Sequence, residues 1–199
     1  MGVKLLVMVA DKPTPVKPFT TQKKWREWLE KNHSSSDGIW LRIYKKDSGK
    51  KTVTHDDALD EALCFGWIDG QRKSFDEASF VQKFTPRRKR SLWSKRNCEK
   101  VTRLTKEGRM TPAGHAEIER AKEDGRWEQA YDSPKDMEVP ADFVREVKKT
   151  KKGYEFFQSL NKVNKFAIAF RLHTAKKPET RERRMKQFLA MMERGEKLH

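Results

Sequence analysis

The stretch Trp67–Thr85, WIDGQRKSFDEASFVQKFT, decides the fold. Two segments with strand-like alternation, Trp67 to Phe75 and Ser79 to Thr85, are joined by Asp76-Glu77-Ala78, which predicts a β-hairpin. In the second segment Phe80, Gln82 and Phe84 share one face, and Val81, Lys83 and Thr85 the other. In the first, strict alternation points Trp67, Asp69 and Gln71 one way and Ile68, Gly70 and Arg72 the other. Pro86 ends the pair, because proline cannot donate to a ladder.

Working outward, Ile39 to Lys45 (IWLRIYK) reads as a third strand, with Ile39, Leu41 and Ile43 on one face and Trp40, Arg42 and Tyr44 on the other. Between it and the hairpin, Thr54 and Asp57 form a capping-box-like start. The helix that follows gathers Ala58, Leu59, Ala62 and Leu63 on one side and stops near Gly66. Upstream, Thr20 or Thr21 caps a helix to about Asn32 with Trp25, Trp28 and Leu29 as its stripe. Asp11 to Pro18 holds three prolines and reads as an extended linker. Met1 to Ala10 is apolar but too short to cross a membrane and lacks a signal-peptide pattern. It reads as an edge strand or a loosely ordered start.

Downstream, Ser91 or Ser94 caps a helix with Val101 and Leu104 inward, ending at Gly108. Lys95, Arg96, Lys100 and Arg103 lie largely away from that stripe. Thr111-Pro112 opens another helix, closed by Gly125. Glu138-Val139-Pro140 reads as a junction. Beyond it the pattern is helical, ending in a helix opened by Pro178 with Met185, Phe188, Leu189 and Met192 as its apolar face. The expected architecture is α+β: a small antiparallel sheet with flanking helices, followed by a C-terminal helical segment. The expected division is an extension over 1–19, a core domain over 20–137 and a helical segment over 138–199 docked on that core.

Hydrophobic residues make up 35% and charged residues 37% of the 199, yet 6 Trp and 11 Phe are present. Disordered chains are poor in aromatics, so a packed core is expected. The net charge of +16 is concentrated. Lys83 to Arg109 carries eleven basic and two acidic residues, Arg145 to Lys186 fourteen and four, and the rest of the chain is net −3. Such a surface attracts nucleic acid, a phosphate-bearing ligand or an acidic protein. Cys64 and Cys98 stand outside any CxxC and read as free thiols of a reducing compartment. With no address signal, the cytoplasm is the expected location. No cofactor or metal motif is read: the five histidines lack metal-ligand spacing, and neither a GxSxG, a P-loop nor a GxGxxG occurs.

Several blocks succeed one another: ALCFGWIDG at Ala62–Gly70, Phe84-Thr85-Pro86-Arg87-Arg88, Ser91-Leu92-Trp93-Ser94-Lys95-Arg96-Asn97, Glu107 to Gly114, and Asp124-Gly125-Arg126-Trp127. Their order and spacing, with the tail Ala175 to Arg184, resemble the YdeI/OmpD-associated protein family over nearly everything after about Thr20. The resemblance implies a role in stress tolerance or in protection against bacteriocins and cationic peptides. It brings no catalytic residues and no cofactor.

Two local constellations carry the expected chemistry. Four cations, Arg87 to Arg90, precede a capped helix start, where free backbone N–H groups and the positive helix end suit an anion. The expected anion-binding set is Arg72, Arg87, Arg88, Trp93, Ser94, Lys95 and Asn97. The plainer alternative is a solvated loop with an ordinary cap and a buried Trp93. On the hairpin, Trp67 and Asp69 are pocket candidates, with Asp69 as acceptor or general base, or else a structural ion pair with Arg72, Arg87 or Lys95. The ion pair is the preferred reading. The sequence therefore points to a non-enzymatic basic binding protein. The alternatives are a small-molecule or enzymatic pocket around Trp67, Asp69 and Trp93, and an adaptor with Phe or Met exposed on the last helix.

Overall fold

The computed structural model describes residues 14–133 and 136–199; the Met1–Ala10 run lies outside them. The element order is β1 (Val16–Pro18), α1 (Gln22–Asn32), β2 (Ile39–Tyr44), a 3-10 turn (Lys46–Ser48), α2 (His55–Cys64), β3 (Trp67–Asp76), β4 (Ser79–Pro86), α3 (Lys95–Lys106), α4 (Pro112–Glu123), α5 (Ala141–Val147), α6 (Lys151–Ser159), α7 (Lys162–His173) and α8 (Pro178–Arg194). The fold is α+β with a C-terminal helical segment. The described residues form two compact units: one comprises the chain up to Ser91 with 100–120, the other 92–99 with 121–199.

In the first unit the strands lie in the order β1-β2-β4-β3. β2, β4 and β3 are antiparallel, as expected, and β1 adds a parallel edge to β2 with Val16 opposite Trp40. The segment read as a linker therefore contributes a strand. Its prolines are tolerated because an edge strand needs to pair only one side, and the Pro15 carbonyl accepts from Trp40 N–H at 2.8 Å. One sheet face is core. Ile39, Leu41, Ile43 and Phe84 are buried there, and α1 supplies Trp25 and Leu29. Trp25 meets the Phe84 ring and donates to the Ala58 carbonyl, tying α1 to sheet and α2. Caps fall where the sequence placed them: Thr21 accepts from Lys24 N–H and Thr54 from Asp57 N–H.

The β3 register departs from strict alternation. It shifts between Asp69, opposite Phe84, and Arg72, opposite Gln82. Gly70 and Gln71 form the irregularity, and the buried Gln82 side chain donates to the Gly70 carbonyl at 2.8 Å. An extra residue in one strand inverts the parity beyond it. Arg72 consequently shares a face with Asp69, where simple alternation had set them on opposite faces.

The second unit packs α5 to α8 around Phe143, Val147, Phe157, Leu160, Ile168, Leu172, Phe188 and Met192. Phe188 and Met192 of the last helix are core, so they offer no exposed apolar handle of the kind an adaptor reading requires. Among the described residues no helix is long and apolar enough to cross a membrane.

Candidate functional site

The hairpin half of the expected site belongs to the first unit. Trp67 is 1% exposed, packs edge-on to Trp28 at 5.8 Å and donates its indole N–H to the His33 carbonyl. A ring so enclosed offers no face to a ligand. Asp69 finds a different partner from those anticipated: its Oδ2 lies 3.1 Å from Nε2 of His55, and both side chains are about one-third exposed. His55 opens α2 directly after its cap, so the helix start and β3 meet through this pair. No signal in the sequence points to it, because the contact joins positions whose spacing belongs to no motif. Arg72 lays its guanidinium over the Phe80 ring at 3.6 Å.

The loop after β4 splits the expected cations. Arg87 is buried, and its N–H donates to the Gly66 carbonyl, closing β4 against the end of α2. Arg88, Lys89 and Arg90 are exposed on a turn closed twice, by Ser91 N–H to the Arg88 carbonyl and by Arg88 N–H to Ser91 Oγ. No side-chain hydrogen bond or ion pair joins these three cations to another described residue.

The helix-start half belongs to the second unit. Ser94 is the cap, accepting from Asn97 N–H at 3.2 Å. Trp93 is 2% exposed and packs on Trp127 at 5.3 Å, so its ring is core. Lys95 N–H donates to the Tyr131 carbonyl, and Tyr131 N–H to the Trp93 carbonyl. The Lys95 ammonium sits 2.6 Å from Asp132, whose hydrogen bond raises the lysine pKa. Asn97 is buried. Of the expected members here, none presents an uncommitted charge. Beside them lies a cavity of about 490 Å³ lined by Lys95, Tyr131, Asp132, Met137, His173 and Lys176, among others.

A second charged cluster, unforeseen, sits under α2. Buried Asp60 accepts from Lys100 at 2.7 Å and from Arg103, and Lys100 also reaches Asp56 at 3.1 Å. Buried Glu61 accepts from Gln22, Arg26 and Arg109 at 2.6–2.7 Å. Lys100 is thus buried, where the helical pattern had set it among the outward cations. Two buried carboxylates held by cations are an internal brace. Next to them, burial and then Glu61 push the Cys64 thiol up to about 11, which keeps it protonated at neutral pH.

Residues 17–117 match the family model described as Domain of unknown function (DUF8412), and residues 136–195 that of Bacteriocin-protection, YdeI or OmpD-Associated. The chain belongs to the first of these families, whose model covers half of it, and its C-terminal segment matches the second. The DUF8412 match begins within β1 and runs through the rest of the sheet and α1 to α3 into α4, and it contains most of the sequence blocks that carry the YdeI/OmpD resemblance. The YdeI/OmpD-associated match spans α5 to α8 and contains the tail. No curated protein and no solved structure matches the chain.

Proposed function

We propose that the chain is a non-enzymatic basic binding protein of the bacteriocin-protection type that engages an anionic partner. The observation that supports this is the Arg88-Lys89-Arg90 turn: three consecutive exposed cations, fixed by Ser91, with no carboxylate of a described residue on any of them. Cations already paired internally gain little from an external anion, whereas unpaired ones release counterions on binding and pull the partner in. The handle is therefore this turn rather than the helix start, where Asp132 holds Lys95. A pocket around Trp67, Asp69 and Trp93 has less support, since both indoles are enclosed. What remains of that reading is the His55–Asp69 pair.

The test is a triple variant, Arg88→Gln with Lys89→Gln and Arg90→Gln, measured against polyphosphate by fluorescence anisotropy at several salt concentrations. Each lost phosphate contact lowers the slope of log K against log salt by roughly 0.7–0.9. The triple change should flatten the slope by about 2. No affinity at low salt, or an unchanged slope, would defeat the proposal.

A further inference from the structure

The sheet of the first unit has a second face, turned away from α1 and α2. β2 presents Trp40, Arg42 and Tyr44 on it, each half-buried, while Ile39, Leu41 and Ile43 fill the core. The register adds Lys83 opposite Trp40, and Lys73 of β3 opposite Val81. Phe75 joins them from the edge strand and is 48% exposed; Val16, opposite Trp40 on β1, is 45% exposed.

Cations and rings interleave across this face. The Lys73 and Lys83 ammoniums stand over Trp40 at 5.0 and 5.7 Å. The Arg42 guanidinium lies between Tyr44 at 4.7 Å and Phe75 at 4.6 Å, and Lys50 covers Tyr44 at 5.0 Å. Of these four cations, Arg42 alone meets a carboxylate among the described residues, Asp76 at 2.5 Å. The face is aromatic, partly open and strongly positive.

We infer that this face binds single-stranded nucleic acid, with bases stacked on Trp40, Tyr44 and Phe75 and phosphates taken by Lys50, Lys73 and Lys83. The inference names a class for the anionic partner but rests on a different surface from the Arg88–Arg90 turn. Every base has a π-face, and an exposed ring next to cations binds both halves of a nucleotide. A duplex keeps its base faces stacked inside, so flat rings on a sheet select unpaired strands. Trp40 and Tyr44 stand four residues apart on β2, roughly 13 Å, a span that suits two bases of one extended strand. The lysines now resting on the rings hold them only weakly, a cation–π contact at an exposed site being worth little. They are free to swing to a phosphate as a base takes the ring.

The experiment uses the full chain and a fluorescein-labelled oligo(dT), a duplex of equal length and anionic phosphatidylglycerol vesicles. Trp40→Ala and Phe75→Ala should each weaken oligo(dT) binding about tenfold or more, the expected loss of one stacked base. Trp40→Phe should restore most of the Trp40 loss, which a charge-only surface would not require. Neither ring variant should change the salt slope, whereas the triple loop variant should, so failure of the face and failure of the loop are told apart. Circular dichroism of each variant shows whether the fold is kept; should Trp40→Ala perturb it, exposed Phe75→Ser carries the test. Equal affinity for duplex and single strand, tighter binding to vesicles than to oligo(dT), or ring variants that bind as the parent chain does would each overturn the inference.

Discussion

Replacing Asp60 by Asn tests whether the brace under α2 holds the first unit together. The amide keeps the shape and removes the charge. Lys100, itself buried, then loses its 2.7 Å partner and retains only the carboxylate of Asp56, 3.1 Å away and largely exposed. Arg103 keeps Glu107 at 2.8 Å. Removing one partner of a buried pair costs about 3–5 kcal/mol, and the remaining partners put Asp60→Asn near the lower end, about 3 kcal/mol. With a urea slope of about 2 kcal/mol/M the midpoint falls by about 1.5 M. Tryptophan fluorescence reports it well, because four of the six tryptophans (Trp25, Trp28, Trp40 and Trp67) lie in this unit. The double change Asp60→Leu with Lys100→Met should recover much of the loss, since a buried ion pair exchanged whole for apolar groups of similar volume is close to neutral. A midpoint shift below about 0.5 M for Asp60→Asn, the range of a solvated surface pair, would refute the reasoning.

Two further stability predictions follow from close packing and from pH. Gly114→Ala places a Cβ 2.3 Å from the Cys64 carbonyl oxygen and 2.9 Å from its carbon, backbone that cannot swing aside; overpacking of this kind costs about 1–3 kcal/mol, so a melting temperature lowered by several degrees is expected, and an unchanged one would show that α4 does not approach α2 so closely. In the second unit Arg181 grips Asp142 at 2.7 and 3.0 Å and holds its carboxyl below the usual range. A depressed carboxylate stabilises the fold above its unfolded pKa of about 3.9 and loses that contribution as pH falls through the folded value. Arg181→Met should therefore cost up to about 1 kcal/mol at neutral pH and progressively less in acid, read by denaturant unfolding at both; equal cost at both would count against the pair.

Much of the local structure was legible because its causes are local. The caps at Thr21, Thr54, Ser94 and Thr111 and the helix ends at Gly66, Gly108 and Gly125 follow from side chains bonding their own neighbours and from glycines at positive φ. The alternation of β2 was legible because one face is buried throughout. The errors arise where the cause lies elsewhere in the chain. The parity of Arg72 depends on Gln82 of the neighbouring strand bonding the Gly70 carbonyl. β1 was hidden because prolines signal a loop, while an edge strand needs to pair on one side only. Asp69 meets His55 fourteen residues away, and Lys95 meets Asp132 from a distant segment. Neither spacing matches a helix or strand period or a motif.

The distribution of those partners also changes what the net charge means. Lys83 to Arg109 is net +9 by composition, yet Lys95, Lys100, Arg103 and Arg109 each lie within 3.0 Å of a carboxylate of the folded chain. Asp60 and Glu61 of α2, two acidic residues outside that run, are what neutralise most of them. A charge counted along the sequence is thus partly a record of internal bracing, and only its remainder draws an external anion, because counterions condense on exposed charge. That remainder includes the Arg88–Arg90 turn, the lysines standing over the rings of the outer sheet face, and exposed lysines of the second basic run such as Lys152, Lys162 and Lys177. The salt dependence of binding should therefore count the exposed cations that meet the partner rather than the +16 of the whole chain, because those held by Asp60, Glu61 and Asp132 are already neutralised inside the fold.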